Sequence, residues 1–241
     1  MLPALSKPSE SIDLEYFLSE EQTVKYKEKC PPDIFFSLGT NPVTDGSAYL
    51  EVGDIKVSCS VNGPTEMRQD SQLVAALKFA PFVRWLPKDS IVSLEKKLSR
   101  LLLSAIEPAV ILHQFPRGKY EIVATILDVC SHNSTGLIGD CLAAAVTCAG
   151  LALVNSGVQM YDLLVGLNLD LSNLENESGH ICVAVLPRLR QFSMLYTVDS
   201  HMPHTEFLRK SLVYAMDNCV KLADVIRNNL CGQTRVKQMS E

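Results

Sequence analysis

The sequence predicts an α+β domain, with mixed sheets and helices packed on their faces. Three observations carry this. Short runs alternate apolar and polar residues, as in Ala48, Leu50 and Val52 followed by Ile55, Val57, Cys59 and Val61. Longer runs have helical spacing, as in Ile91, Leu94, Leu98, Leu101, Leu102 and Ala105. Gly139 to Ser156 (GDCLAAAVTCAGLALVNS) is apolar nearly all round, the mark of a helix buried on most sides. The chain has 241 residues, 47% apolar and 20% charged, enough to bury a large core. No internal linker rich in Pro, Gly or Ser interrupts it. One domain over 31–232 is expected, between a polar N-terminal arm over 1–30 and a tail over 233–241.

The elements follow in order. A strand is expected to open near Ile34-Phe35-Phe36. The hairpin from Gly46 to Pro64 turns at Gly53-Asp54, a Gly-X pair suited to a type II′ turn, and Asn62-Gly63-Pro64 is expected to stop its second strand. Residues 65–72 read as loop, Leu73 to Phe82 as strand, and Phe82 to Lys88 as loop. Ser90 to Glu107 reads as helix, with Asp89 or Ser90 as N-cap and Pro108 at its end. Tyr120 to Val129 reads as strand. Gly157 is placed to cap the apolar helix. Strands are expected at Tyr161–Leu171, His180–Leu186 and Gln191–Val198. A last helix is expected from Pro203 to about Leu230, ended by Gly232.

The net charge of −5 argues against a free-standing nucleic-acid binder, because such binding is driven by counterion release onto a basic surface. Eight cysteines without a C-x-x-C pair read as buried free thiols. No signal peptide is evident, no uninterrupted apolar run of membrane-spanning length is expected, and no membrane partner follows. His201 and His204 form H-x-x-H around Pro203 without a Cys or carboxylate partner, so no metal site is expected. There is no dinucleotide fingerprint, P-loop or nucleophile elbow. From the residues alone, no cofactor and no catalytic constellation emerge.

Four stretches in register add a resemblance. Gly46-Ser47-Ala48-Tyr49-Leu50-Glu51-Val52-Gly53-Asp54-Ile55-Lys56-Val57, closing in Asn62-Gly63-Pro64, resembles the N-terminal hairpin of the RNase PH family. Leu101 to Ile111 resembles its first long helix. Phe115-Pro116-Arg117 before a strand resembles its usual connection. Leu151 to Val165 (LALVNSGVQMYDLLV) resembles its stretch A-L-x-D-A-G-I-x-M-x-D. The resemblance covers roughly Ser47 to Leu230 and implies a single RNase PH-like domain.

That family holds phosphorolytic exoribonucleases and inactive ring subunits of the eukaryotic RNA exosome. Its active members hold phosphate with an Arg in the first helix and a G-G-T-R turn, and use carboxylates beyond the second helix for acid or metal-assisted chemistry. By counting from Gly157, the turn falls at Gly139-Asp140-Cys141-Leu142, the helix Arg near Leu94, and the carboxylates near Glu175 or Asn176 and Ile181. Asp140 in a phosphate cradle would repel phosphate, and Ile181 moves no proton. The resemblance therefore implies a non-catalytic subunit of a six-membered exosome ring. Its implied partners are other RNase PH-like ring subunits, cap subunits with S1 or KH domains, an associated exoribonuclease, and RNA in the central channel. Its implied location is nucleus, nucleolus and cytoplasm. Arg84, Lys88 and Arg117 are candidate RNA contacts, with Lys119 and Trp85 beside them; an ordinary solvated loop is the competing reading. The functional alternatives are an active phosphate-dependent exoribonuclease with a displaced site, and a small-molecule enzyme sharing only the fold.

Overall fold

The computed structural model describes residues 34–66, 72–83, 88–129, 136–170, 179–197 and 205–238. The N-terminal arm and the last residues of the tail lie outside them. Five strands form one sheet: β1 (Ile34–Leu38), β2 (Gly46–Val52), β3 (Ile55–Glu66), β4 (Gln72–Phe79) and β5 (Gly118–Val129), in the order β1-β2-β3-β5-β4. All neighbours are antiparallel except β4 and β5, which are parallel. Three more, β6 (Val165–Asp170), β7 (His180–Leu186) and β8 (Gln191–Thr197), form an antiparallel sheet in that order. The helices are α1 (Lys88–Ile106), α2 (Leu137–Asn155) and α3 (Thr205–Gln238).

The period-2 patterns became paired strands for the expected reason. Phe36, Leu50, Val57, Ile126 and Phe79 stand opposite one another across the five strands, and all are buried. Gly53 has φ 57° while Asp54 stays at negative φ, as a Gly-X turn of type II′ requires. Beneath this sheet lie α1 and α2, then the three-stranded sheet, then α3 on its far side. The fold is thus four layers, with α2 between the two sheets. Fifteen of its nineteen residues are buried. Small residues let it sit close: a Cβ on Gly166 of β6 would lie 2.4 Å from the Ala143 carbonyl oxygen, and one on Gly150 would lie 2.6 Å from that of Leu164.

The α2 C-terminus is closed by a Schellman motif. The Val158 N–H donates to Leu153 O (3.3 Å) and the Gly157 N–H to Val154 O (3.2 Å), with Gly157 at φ 72°. At the edge of the large sheet, α1 supplies side chains to β4. Glu95 accepts from the Phe79 N–H (2.8 Å) and Ser99 from the Leu77 N–H (2.8 Å).

Several boundaries differ from expectation. β3 does not stop at Asn62-Gly63-Pro64; a register shift between Asn62 and Thr65 carries it on to Glu66, opposite Gly118. Helix α1 starts at Lys88 instead of Ser90, so Lys88 belongs to a helix and not to a loop. β6 starts at Val165 instead of Tyr161. Gly232 does not end α3, which continues through Gln238. Helix α2 is long and apolar enough by length and composition to cross a membrane, with Asp140 interrupting its apolar run, and it lies between two sheets as the core helix.

Candidate functional site

The N-terminus of α2, the C-terminal end of β6 and the start of β7 converge at one end of the domain. Helix α2 brings Gly139 and Asp140 there because its first turn lies against β6. β6 contributes Asn168 and Asp170, and β7 contributes His180 directly opposite Asp170. Asn168 Nδ2 donates to Asp140 Oδ1 (2.9 Å) and to the Gly136 carbonyl (3.2 Å). The amide thus clamps the first turn of the helix to the sheet. His180 Nδ1 lies 3.9 Å from Asp170 Oδ1. Two glycines make the room: a Cβ on Gly139 would meet the Asn168 carboxamide at 2.5 Å, and one on Gly136 the His180 ring at 2.5 Å.

The site is electrostatically acidic. Asp140 sits in the first helical turn, where the macrodipole favours an anion. The helix N-terminus, which elsewhere receives phosphate, therefore carries a carboxylate of its own. Its neighbours are thiols. Burial, reinforced by Asp140, pushes Cys141 up to about 12, and burial with Asp140 and Cys219 raises Cys182 further. Both thiols stay protonated at neutral pH. Among the described residues, no group of three or more His, Cys, Asp or Glu side chains is arranged to hold a metal ion.

The structure places the sequence candidates as follows. Asp140 is half-buried in the site, while Cys141 and Leu142 are buried in the core behind it. Leu94 is partly buried on α1 and packs against the core. Ile181 is buried, and strand alternation turns it to the face opposite Cys182, away from Asp140. Glu175, Asn176, Arg84 and Trp85 lie outside the described residues, as do His201 and His204. Arg117 is exposed, with φ 66°. Lys119 is paired with Glu121. Lys97 lies over the Tyr196 ring, 5.0 Å from its centroid, so it is turned toward β8.

Sequence reasoning missed Asn168, Asp170 and His180. The available signal was parity. Asn168 and Cys182 are opposite each other on the α2 side of the small sheet, and counting by twos from Gly166, which must face α2 closely, reaches Asn168. Reasoning also missed what the last Asp of the Leu151–Val165 stretch does. Asp162, whose side chain is only 4% exposed, accepts from the Arg227 guanidinium (2.7 Å), the Leu163 N–H (2.8 Å) and the Arg188 N–H. It ties the segment after α2 to the β7–β8 turn and to α3, at the end of the domain remote from Asp140.

Comparison with known proteins sharpens this picture. Residues 33–159 match the model of the 3' exoribonuclease family, domain 1 (RNase PH). The human protein named exosome complex component MTR3 is 31% identical over 226 residues, covering 79% of this chain and 79% of that protein. Exosome complex component Rrp41 of Pyrobaculum calidifontis is 31% identical over 198 residues, covering 73% of this chain and 76% of its own length. Among solved structures, rice Rrp46 superposes with a TM-score of 0.66 at 16% identity, covering 83% of this chain and 95% of that one.

Proposed function

Since the chain belongs to the RNase PH family of 3' exoribonucleases, we propose that it is a non-catalytic, MTR3-like ring subunit of an RNA exosome. In this role it pairs with other RNase PH-like subunits, supports cap subunits and an exoribonuclease, and helps form the channel through which RNA passes in 3'-to-5' processing. One observation carries the non-catalytic part. The first turn of α2, where the family resemblance puts the phosphate cradle, is occupied by the chain's own Asp140 carboxylate, held by Asn168. A phosphate about 4 Å from that carboxylate meets a repulsion of about 4 kcal/mol per unit charge at an effective dielectric near 20. The buried Leu142 next to it offers no cationic fork.

Similarity to MTR3 supports this reading; similarity to Rrp41 favours the rival, a phosphate-dependent exoribonuclease with a displaced site. The test is direct. The purified chain, alone and with a pairing ring subunit, is incubated with RNA and orthophosphate. The expectation is co-purification with ring subunits and no release of nucleoside diphosphates. Release that Glu175→Ala abolishes would establish the rival. A chain that purifies from cells without ring partners refutes the scaffold role.

A further inference from the structure

Strand β8 is the outer strand of the small sheet. It pairs with β7 on one side and, among the described residues, with no strand on the other. Its two faces differ. Cys182 lies opposite Asn168, which is bonded to α2, so Ala184 and the partners Met194 and Tyr196 also face the α1–α2 layer. Phe192 and Leu195 pair with Val185 and Val183 and face the other way, toward the α3 layer. Helix α3 packs on β6 and β7, and Val183 and Val185 are fully buried. Phe192 and Leu195 are instead 41% and 46% exposed, and Leu189 in the preceding turn is 46% exposed. Ser193 is bulged out of register and its hydroxyl donates to the Ala105 carbonyl of α1, so Met194–Thr197 is the regular part of the open edge. An open edge beside an uncovered apolar strip is what an added strand occupies.

Bases flank this strip. Arg188 and Arg190 are exposed in the turn that leads into β8, and the turn itself holds no acid. Lys97 of α1 lies over the Tyr196 ring on the other face of the strand. One segment outside the described residues has the matching pattern. Ile12-Asp13-Leu14-Glu15-Tyr16-Phe17-Leu18 puts apolar residues at every second position and acids between the first three of them. Residues 9–23 carry five acids (Glu10, Asp13, Glu15, Glu20 and Glu21) and no base. Reach permits the match. Ile34 pairs with Val52, beside the Gly53 turn and the Val129 end of β5, from which the chain passes into α2. Thr197 pairs with Ile181, next to His180 and Asp170, at the same end of the domain. β8 and β4 share α1, so β8 lies under the margin opposite β1. Crossing two layers of about 10 Å and the breadth of the large sheet at ~4.8 Å per strand is a path of roughly 30 Å. Residues 19–33 span up to about 50 Å.

We propose that Ile12–Leu18 of this same chain docks along the open edge of β8 as a fourth strand of the small sheet. The segment runs parallel to β8, which puts Leu18 at the Thr197 end and leaves the shortest path back to Ile34. Ile12, Leu14, Tyr16 and Leu18 extend the Phe192–Leu195 strip and remove it from water. Glu10 and Asp13 lie toward Arg188 and Arg190, and Glu15 lies on the Lys97 face. The chain thereby closes one of its own sheet edges, whether or not it sits in a ring.

The full chain is followed by hydrogen exchange with mass spectrometry and by limited chymotrypsin digestion, which cuts after Tyr16, Phe17 and Leu18. Leu14→Asp combined with Tyr16→Asp should speed exchange of the Met194–Thr197 amides about tenfold. Phe192→Asp combined with Leu195→Asp should speed cleavage within the segment about tenfold, at a rate independent of protein concentration. In both variants the β3 and β5 amides should keep their protection, so a released edge is not an unfolded chain. Arg188→Glu with Arg190→Glu should speed the cleavage about threefold, and adding Glu10→Lys with Asp13→Lys should restore it. Unchanged β8 exchange in the segment variant, or equal cleavage in the wild type and the Phe192 variant, overturns the proposal. So does protection of β8 that appears only as protein concentration rises, which assigns the edge to a second copy, or only when another protein is bound.

Discussion

Replacing Asp162 by Ala should do more damage than any surface change on this chain. The carboxylate receives hydrogen bonds from two backbone amides and one guanidinium while its side chain is 4% exposed. Charge-assisted bonds each contribute about 1.5–3 kcal/mol, but Arg227 is 35% exposed and regains water when its partner goes. A net loss of about 3 kcal/mol follows, most of it from the two amides and the vacated space. For a chain of this size that corresponds to a fall in melting temperature of about 6–12 °C. Arg227→Ala should cost about 1 kcal/mol, and a double-mutant cycle between the two isolates the ion pair. Freed of its anchor, the turn carrying Arg188 and Arg190 should also become the first site cut in limited trypsin digestion. A drop below about 2 °C with unchanged cleavage would show that Asp162 does not hold the three elements together.

Other perturbations have equally definite outcomes. Gly166→Ala puts a Cβ 2.4 Å from the Ala143 carbonyl oxygen and forces α2 off β6; it should destabilise by about 1–3 kcal/mol in urea unfolding, although alanine is the better strand residue. Leu142→Arg should not create phosphorolysis, because the position is fully buried; the variant should lose several kcal/mol and release no nucleoside diphosphates. Burial pushes the Cys59 and Cys219 thiols up to about 12, above their unfolded value near 9. The folded state keeps these protons when the unfolded state loses them, so their contribution is intact below pH 9. It falls by about 1.4 kcal/mol per pH unit and per thiol between pH 9 and 12; Cys59→Ala should flatten that alkaline slope by one thiol's worth.

Local physics was legible in the sequence. The hairpin, its Gly-X turn, the amphipathic α1 and the Gly157 cap each follow from residues within a few positions of one another. The all-apolar Gly139–Ser156 stretch announced its burial but not what buries it. Boundaries failed where a distant contact overrides a local signal. Pro64 looked like a stop, yet pairing of Thr65 and Glu66 with β5 extends β3 past it. Tyr161 looked like the start of β6, yet Asp162 is held by Arg188 and Arg227 and delays the strand to Val165. The candidate site was hardest, because Asp140, Asn168 and His180 are spread over a span of forty residues in the chain and meet only through sheet register. A strand alternates faces at every residue, so a shift of one position separates Ile181, facing away, from Cys182, facing Asp140.

The Glu95 and Ser99 side chains on β4 limit how this molecule can add to others. An antiparallel or mixed sheet with two bare edges can be joined on both sides, and repetition of that act gives a fibre. Here the amides of Leu77 and Phe79 are already spoken for by α1, so that stretch of one margin is insulated. β1 at the other margin has no such cover from side-chain acceptors among the described residues. Along the insulated stretch of β4 the large sheet cannot take up a further strand through these two amides, so growth by edge addition is blocked there. Covering that margin from within the chain guards it against edge-to-edge aggregation.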